Sequence, residues 1–396
     1  MMELGDRAGD SIAAVADKSR SEIHWLTEAP RVTGRSNGLD IVRAVCAISV
    51  VIDHAIFWAR GIQGKDSVPA SIVWFFSKVF DPLWQPSGEV HPAVLVFIVL
   101  SGYCIHRATF RESPQSVFPF AIRRAFRILP VYFAAIAAGL GFFIFAHSFS
   151  PALATGLTGL ASFNASCLLA KISTLGALVP IPLECTNQGN GPLVTVMVEI
   201  ILYAGYALAF VGLVWRRRES ALWFACALAF AVNCAVAAAA PSNPNLYSWW
   251  QNSSFIGFLP YWWLGAAVLS PRVRGWLFEG KLLWVALSCW LLFTIVLMFV
   301  GDQALISELR KLTFAVTASG IIVALDEMRS IPDGFLPAIG RAGYSVYAFH
   351  APLVMLLCML GISWWLAITG AIVGGWVVYR VYEAPLQRVG RTFART

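Results

Sequence analysis

Arg43 and His54 lie eleven residues apart in the stretch from Gly38 to Arg60, GLDIVRAVCAISVVIDHAIFWAR, and their types and spacing are where chemistry is easiest to read. Eleven residues make about three turns of α-helix, so both side chains fall on one face, roughly 16 Å apart along the axis. A guanidinium is a permanent cation whose paired N–H groups match carboxylate or phosphate oxygens. An imidazole titrates near neutral pH and can take the proton of an attacking hydroxyl. Asp40 stands three residues before Arg43, where it can hold the guanidinium as an ion pair. Asp53 adjoins His54. The stretch is also long and apolar enough to cross a bilayer, where ionisable groups are costly and face a bundle interior or a wet cavity. One helix face therefore offers a fixed cation near one membrane surface and a titratable base near the other.

Such a face needs other helices around it, and the composition supplies them. Of 396 residues, 58% are apolar and only 13% charged, with 16 Trp and 27 Phe. That excess fits an all-α, polytopic membrane protein rather than several soluble domains. The net charge of +7 raises the question of nucleic acid. The basic residues instead form short clusters between apolar runs, as they do on the cytoplasmic side of membrane proteins, and no nucleic-acid partner is expected.

Apolar stretches at about 39–59, 92–110, 128–147, 192–214, 220–240, 254–270, 282–300, 312–326, 343–360 and 362–380 predict about ten transmembrane helices in one bundle. The run from Ser71 to Trp84 is too short to cross and suits an interfacial or re-entrant helix. Pro151 to Lys171 is long enough to cross but rich in small and polar residues. Counting it as a span would divide Lys and Arg almost evenly between the two sides. Leaving it outside puts most of them in the cytoplasm, with both termini there too. On that topology Lys171, Arg310 and Lys311 belong to outer loops, and spans five to nine carry few ionisable residues and read as scaffold. Residues 1–37 form a polar cytoplasmic tail without the basic-then-apolar pattern of a signal peptide. Residues 38–388 form the membrane domain, and 389–396 a short C-terminal tail.

Six of the eight cysteines lie inside the apolar stretches as small packing residues. Cys167 and Cys185 share the long outer segment and are expected to form a disulfide, worth about 3 kcal/mol by loop closure. The chain has no Cys-x-x-Cys or His-x-x-x-His pair, so no metal is expected.

Four further segments carry polar groups in apolar surroundings. VFIVLSGYCIHR contains Ser101 and Gly102, which fit close helix packing as well as a site. In AIRRAFRILP, Arg123, Arg124 and Arg127 precede Pro130. They suit phosphate oxygens, though inside-positive topology alone would place cations there. GPLVTVMVEI sets Glu199 inside a span, at the expected depth of His54, where it or Asp53 could orient the imidazole. GRAGYSVYAFHAPL carries Ser345, Tyr347, His350 and Pro352, and the chain closes on YRVYEAPL with Glu383 and Pro385.

Taken in order, these segments resemble the acyltransferase 3 family of bacterial integral-membrane O-acyltransferases. Arg43 and His54 match its Arg-x10-His, Ser101 to Tyr103 its Ser-Gly-aromatic, and Arg123 to Pro130 its Arg-Arg-x-x-Arg-x-x-Pro. Ser345 to Pro352 match its Ser-Tyr-x-x-Tyr-x-x-His-x-Pro-like run, and Glu383 its closing segment. At Glu199 the family's Trp-Ser-Leu-x-x-Glu departs: Thr195 and Val196 or their neighbours replace the Trp and Ser. The resemblance implies a bacterial inner-membrane enzyme with no tightly bound cofactor. It would move an acyl group, acetyl in the first instance, from acyl-CoA to a hydroxyl of a glycan or glycoconjugate. Arg43, Arg123, Arg124 and Arg127 would bind the donor. His54 would act as base, or as carrier of a covalent acyl group, with Glu199 and Asp53 beside it. Besides membrane lipids, the partners are that donor and acceptor. A multi-pass transporter or flippase would use the same buried groups, but the chain shows no inverted repeat with matching broken helices. A sensor or scaffold is a third reading.

Overall fold

The computed structural model describes residues 36–77, 90–109, 117–158, 160–181, 185, 188–209, 219–301, 303–328 and 331–394. Residues 1–35 of the expected tail, 78–84 of the interfacial stretch, the cluster at 216–218 and Arg329 lie outside the described residues. Among those described there is no β-strand. The helices are α1 (Asn37–Gln63), α2 (Ala70–Phe75), α3 (Pro92–Thr109), α4 (Val117–Phe149), α5 (Pro151–Thr158), α6 (Ala165–Ile172), α7 (Leu193–Ala209) and α8 (Glu219–Ala238). They continue with α9 (Pro244–Ser253), α10 (Phe255–Ala267), α11 (Pro271–Phe278), α12 (Leu282–Val300), α13 (Ala304–Glu327), α14 (Phe335–Arg341), α15 (Gly343–Met359), α16 (Trp364–Val378) and α17 (Ala384–Phe393).

A helix runs through the described part of each of the ten stretches expected to span. Asn37–Gln63, Phe118–Phe149, Leu282–Val300 and Trp364–Phe393 are each long and apolar enough to cross a bilayer. The pair α14–α15, bent by 77°, makes a fifth if taken as one span, and α3, α7 and α8 carry shorter apolar runs. α12 shows why lipid must be the outer solvent. It turns Trp284 and Phe299 outward, the latter 85% exposed, and water would not tolerate that surface.

Local chemistry sets the helix ends and crossings around the site. The hydroxyl of Ser36 caps α1 by accepting from the Leu39 amide at 3.3 Å. Gly64, at φ 100°, ends α1 in a conformation that side chains resist. α3 and α10 cross so closely that a Cβ on Gly102 would strike the Trp262 carbonyl, and one on Gly265 the Val99 carbonyl. Gly102 thus has the packing role small residues take between membrane helices. In α15, Pro352 has no N–H to give the Ala348 carbonyl four residues back. The buried Asn190 amide fills that gap, donating to Ala348 at 2.9 Å and to Ala135 on α4 at 3.3 Å. The segment leading into α7 is thereby pinned between α4 and α15.

Between α4 and α7 the described residues include two short helices, α5 and α6, and no continuous span. Cys167 and Cys185 are bonded there, as expected, with Cα atoms 4.6 Å apart. The loop placement of the outer cations needs correcting. Lys171 is buried, its ammonium donating to the carbonyls of Gln188 at 3.0 Å and Asn190 at 3.1 Å, and burial pushes it down to about 7. Arg310 and Lys311 lie inside α13 and are also buried. Lys311 meets Glu308 at 2.5 Å, and Tyr261 donates to the same carboxylate at 2.9 Å. At the other end of α13, Asp326 takes Tyr103 at 2.6 Å and Arg107 at 2.9 Å. This part of the scaffold is richer in charge than its hydropathy implied, because each of these carboxylates has a partner on α13 itself or on a neighbouring helix.

Candidate active site

α1 and α15 pack side by side and bring two histidines together. His54 Nδ1 lies 2.8 Å from His350 Nε2, with the two rings parallel to within 2°. Trp58, one turn beyond His54, packs its indole 4.8 Å from the His54 ring and 6.0 Å from that of His350. His350 is fully buried, and its Nδ1 sits 2.6 Å from the carbonyl oxygen of Tyr347. A carbonyl can only accept, so that hydrogen belongs to His350 Nδ1. In the neutral pair His350 Nε2 then accepts from His54 Nδ1–H, and the basic lone pair of His54 is left on Nε2. The pairing does for His54 what a carboxylate does in other sites: it fixes ring and tautomer. His91, which the sequence reading assigned no part, lies within electrostatic reach of both imidazoles at the mouth of α3.

The expected orienting role of Glu199 is not what the geometry shows. Glu199 accepts from Tyr203 one turn along α7, and it faces a cleft it shares with Arg43, Arg124, Arg127, Arg341 and Ser101. Its register on α7 turns it toward the arginines, whereas a depth argument carries no information about facing. Asp53 is half-buried beside His54 on α1.

The cleft encloses about 90 Å³ and is open at its mouth. Asp40 holds Arg43 at 2.6 Å, as the spacing predicted, and the second guanidinium nitrogen donates to Cys104 Sγ at 3.0 Å. Arg124 stacks over the rings of Phe120 and Tyr203, 5.6 Å from each centroid. Such stacking orients a guanidinium without neutralising it. Arg341 is tied to Asp333 at 2.6 Å. Arg123 is half-buried on α4 and does not line the cleft. Ser101 donates to Tyr203 at 2.9 Å and accepts from Trp262 at 3.2 Å, a positioning network with no base beside it.

Tyr347 joins the cleft to the histidine pair. It lines the cleft, its ring lies 5.6 Å from that of His350, and its carbonyl receives the His350 proton. Ser345 and Glu383 have a different job. Ser345 donates to Glu383 at 2.5 Å, both are buried, and Gln387 donates to the other carboxylate oxygen at 2.7 Å. That knot ties the start of α17 to α15 beneath the site.

Arg341, Cys104, Tyr203 and His91 escaped the sequence reading. Arg341 was legible as a cation two residues before Gly343 in the Ser345–His350 segment, and His91 as a histidine just outside an apolar run. Among the described residues no group of His, Cys, Asp and Glu is placed to hold a metal ion. A family model described as an acyltransferase domain matches residues 36–380. No curated protein and no solved structure matches the chain.

Proposed function

This chain belongs to the acyltransferase 3 family, and from that premise we propose that it moves an acetyl group from acetyl-CoA to a sugar hydroxyl of a bacterial envelope glycan. The observation that carries the reading is the junction at Tyr347, where a cationic cleft meets a paired, tautomer-fixed histidine. In this reading ten helices cross the inner membrane with both termini cytoplasmic, so the cleft opens toward the cytoplasm. Coenzyme A presents a pyrophosphate and a 3′-phosphate, the chemistry guanidinium forks match best. Arg43, Arg124 and Arg127 would take these groups and Arg341 would extend the same surface.

With the donor so held, the thioester reaches inward past Tyr347. His54 Nε2 takes the proton of the acceptor hydroxyl as its oxygen attacks the thioester carbon. The tetrahedral intermediate collapses, the carbon–sulfur bond breaks, and the proton passes from His54 to the departing thiolate, giving CoA thiol and the acetyl ester. His350 keeps His54 in register throughout, because its own proton is committed to the Tyr347 carbonyl.

Purified protein in lipid nanodiscs, radiolabelled acetyl-CoA and a total envelope glycan fraction test the reading. His54→Ala should fold and insert normally and lose about 10²-fold or more in acetyl transfer, the size expected for loss of a general base. Transfer by this variant near the wild-type rate with saturating donor would remove His54 from the chemistry. Reporter fusions at Arg274 and Asn243 should read cytoplasmic and external, and the reverse would invert the access argument.

A further inference from the structure

Beside the donor cleft three groups share too few hydrogens. Thr195 Oγ1 lies 2.5 Å from the Tyr347 hydroxyl, and each of the two lies near the carbonyl oxygen of Pro192, at 3.0 and 3.1 Å. Three contacts are formed by only two hydroxyl protons, so one contact is always without a hydrogen. The arrangement can therefore turn one proton elsewhere while keeping the rest. Both hydroxyl residues line the cleft. The Tyr347 ring is gripped on two sides, 5.6 Å from Phe97 edge-on and 5.6 Å from His350, so its hydroxyl is held in place before anything binds.

We propose that Tyr347 and Thr195 form the oxyanion donor of this site: Tyr347 O–H donates to the thioester oxygen, and Thr195 O–H donates to Tyr347. The inference rests on the acyl-transfer reading and names one more catalytic residue, Tyr347, and the residue that positions it, Thr195. When the acceptor oxygen bonds to the thioester carbon, the carbonyl π pair moves onto oxygen. Tyr347 then hydrogen-bonds that negative oxygen and releases its hold on the Pro192 carbonyl. The phenol keeps its proton, and when the carbonyl re-forms and the thiolate leaves, the Tyr347–Pro192 contact is restored. Thr195 donating to the phenol oxygen makes the phenol a better donor, because linked hydrogen bonds polarise one another. This also gives a reason for the hydroxyl of Thr195 at that point of α7. The same tyrosine supplies the carbonyl that fixes His350, so one residue sets both the base and the charge it generates.

The test measures CoA thiol release and acetyl transfer with acetyl-CoA and the envelope glycan fraction, for wild type, Tyr347→Phe, Thr195→Val and Thr195→Ser. Losing an oxyanion donor typically lowers kcat by about 10²–10³-fold, which is the expectation for Tyr347→Phe, with KM for acetyl-CoA unchanged within about twofold. Thr195→Val should fall less, and Thr195→Ser should recover most of the rate. The acetyl dithioester of CoA separates this from a packing role, since a thiocarbonyl sulfur accepts hydrogen bonds poorly. Wild type should prefer the oxygen thioester strongly, and Tyr347→Phe should lose most of that preference. A kcat near wild type for Tyr347→Phe, or an unchanged oxygen-over-sulfur preference, overturns the proposal while leaving the acyl-transfer reading intact. If wild type itself neither binds nor consumes acetyl-CoA, that reading fails first and this inference falls with it.

Discussion

Buried charge in this bundle is built to different rules, as the α13 group and the cleft show. In α13 the charges are packed: Glu308 takes Lys311 and Tyr261, and the void beside Arg310 and Lys311 is only about 10 Å³. In the cleft the guanidinium groups face an open-mouthed space of about 90 Å³, Glu199 is bonded to a phenol, and Arg124 leans on aromatic faces. An ionisable residue inside a membrane is a sound starting suspicion. The contrast shows what refines it. A carboxylate closed on its partners inside packed helices reads as architecture, whereas the guanidinium groups that line open space, two of them held by carboxylates of their own, are the ones the acyl-transfer proposal assigns to the donor.

The largest expected effect tests the packed group. Glu308→Gln leaves the Lys311 ammonium buried without its carboxylate, and breaking a buried pair on one side costs about 3–5 kcal/mol. The variant should unfold at a clearly lower temperature in detergent. Replacing both partners, Glu308→Met with Lys311→Met, should recover most of that loss, as apolar isosteres of buried pairs often do. Whatever protein survives should keep its KM for acetyl-CoA. A Glu308→Gln protein of normal stability but weakened donor binding would erase the distinction between the two groups.

Next in size come the cleft arginines. Arg124→Gln and Arg127→Gln should each raise KM for acetyl-CoA by about 10–100-fold, the range for a lost hydrogen bond to a charged group. Unfolding temperature should hold or rise, because neighbouring like charges are being thinned. Dephospho-CoA thioester, which lacks the 3′-phosphate, sharpens the point. The arginine that meets that phosphate should show little further loss when donor and side chain are truncated together. Purely additive losses for both arginines would place the phosphate elsewhere.

Much of this was legible in the chain. A helix runs through the described part of each apolar stretch, and the Asp40–Arg43 pair and the Cys167–Cys185 bond form as expected. What stayed hidden depends on which way a side chain turns. Glu199 was read by depth, which period and hydropathy do give, but its facing toward the cleft arginines depends on how α7 is rotated against its neighbours. Its bond to Tyr203, by contrast, is an ordinary contact one turn along the same helix. His350 was visible as a motif residue, yet its pairing with His54 joins positions 296 apart in sequence. The Asn190 latch was invisible for a related reason. Pro352 announces an orphan carbonyl, but nothing in one sequence says which distant amide will take it.

The smallest expected effect concerns Lys171, a third kind of buried cation, held by two backbone carbonyls. Its folded-state value of about 7 lies below its ordinary value of 10.5. Below pH 7 the amine is protonated in both folded and unfolded chains, and burying the charge costs stability by a constant amount. Between pH 7 and 10.5 the unfolded chain binds the extra proton, so stability must rise with pH, by at most about 1.4 kcal/mol per pH unit for one group. Wild type should therefore gain a few degrees in unfolding temperature between pH 7 and pH 9, relative to Lys171→Met, in which no group titrates at that position. Both proteins must carry the intact Cys167–Cys185 bond, since the same segment holds the lysine. A wild-type curve that runs parallel to that of Lys171→Met would mean the ammonium stays charged when folded. Lys171 would then belong with the cleft arginines, as a cation kept ready for a partner.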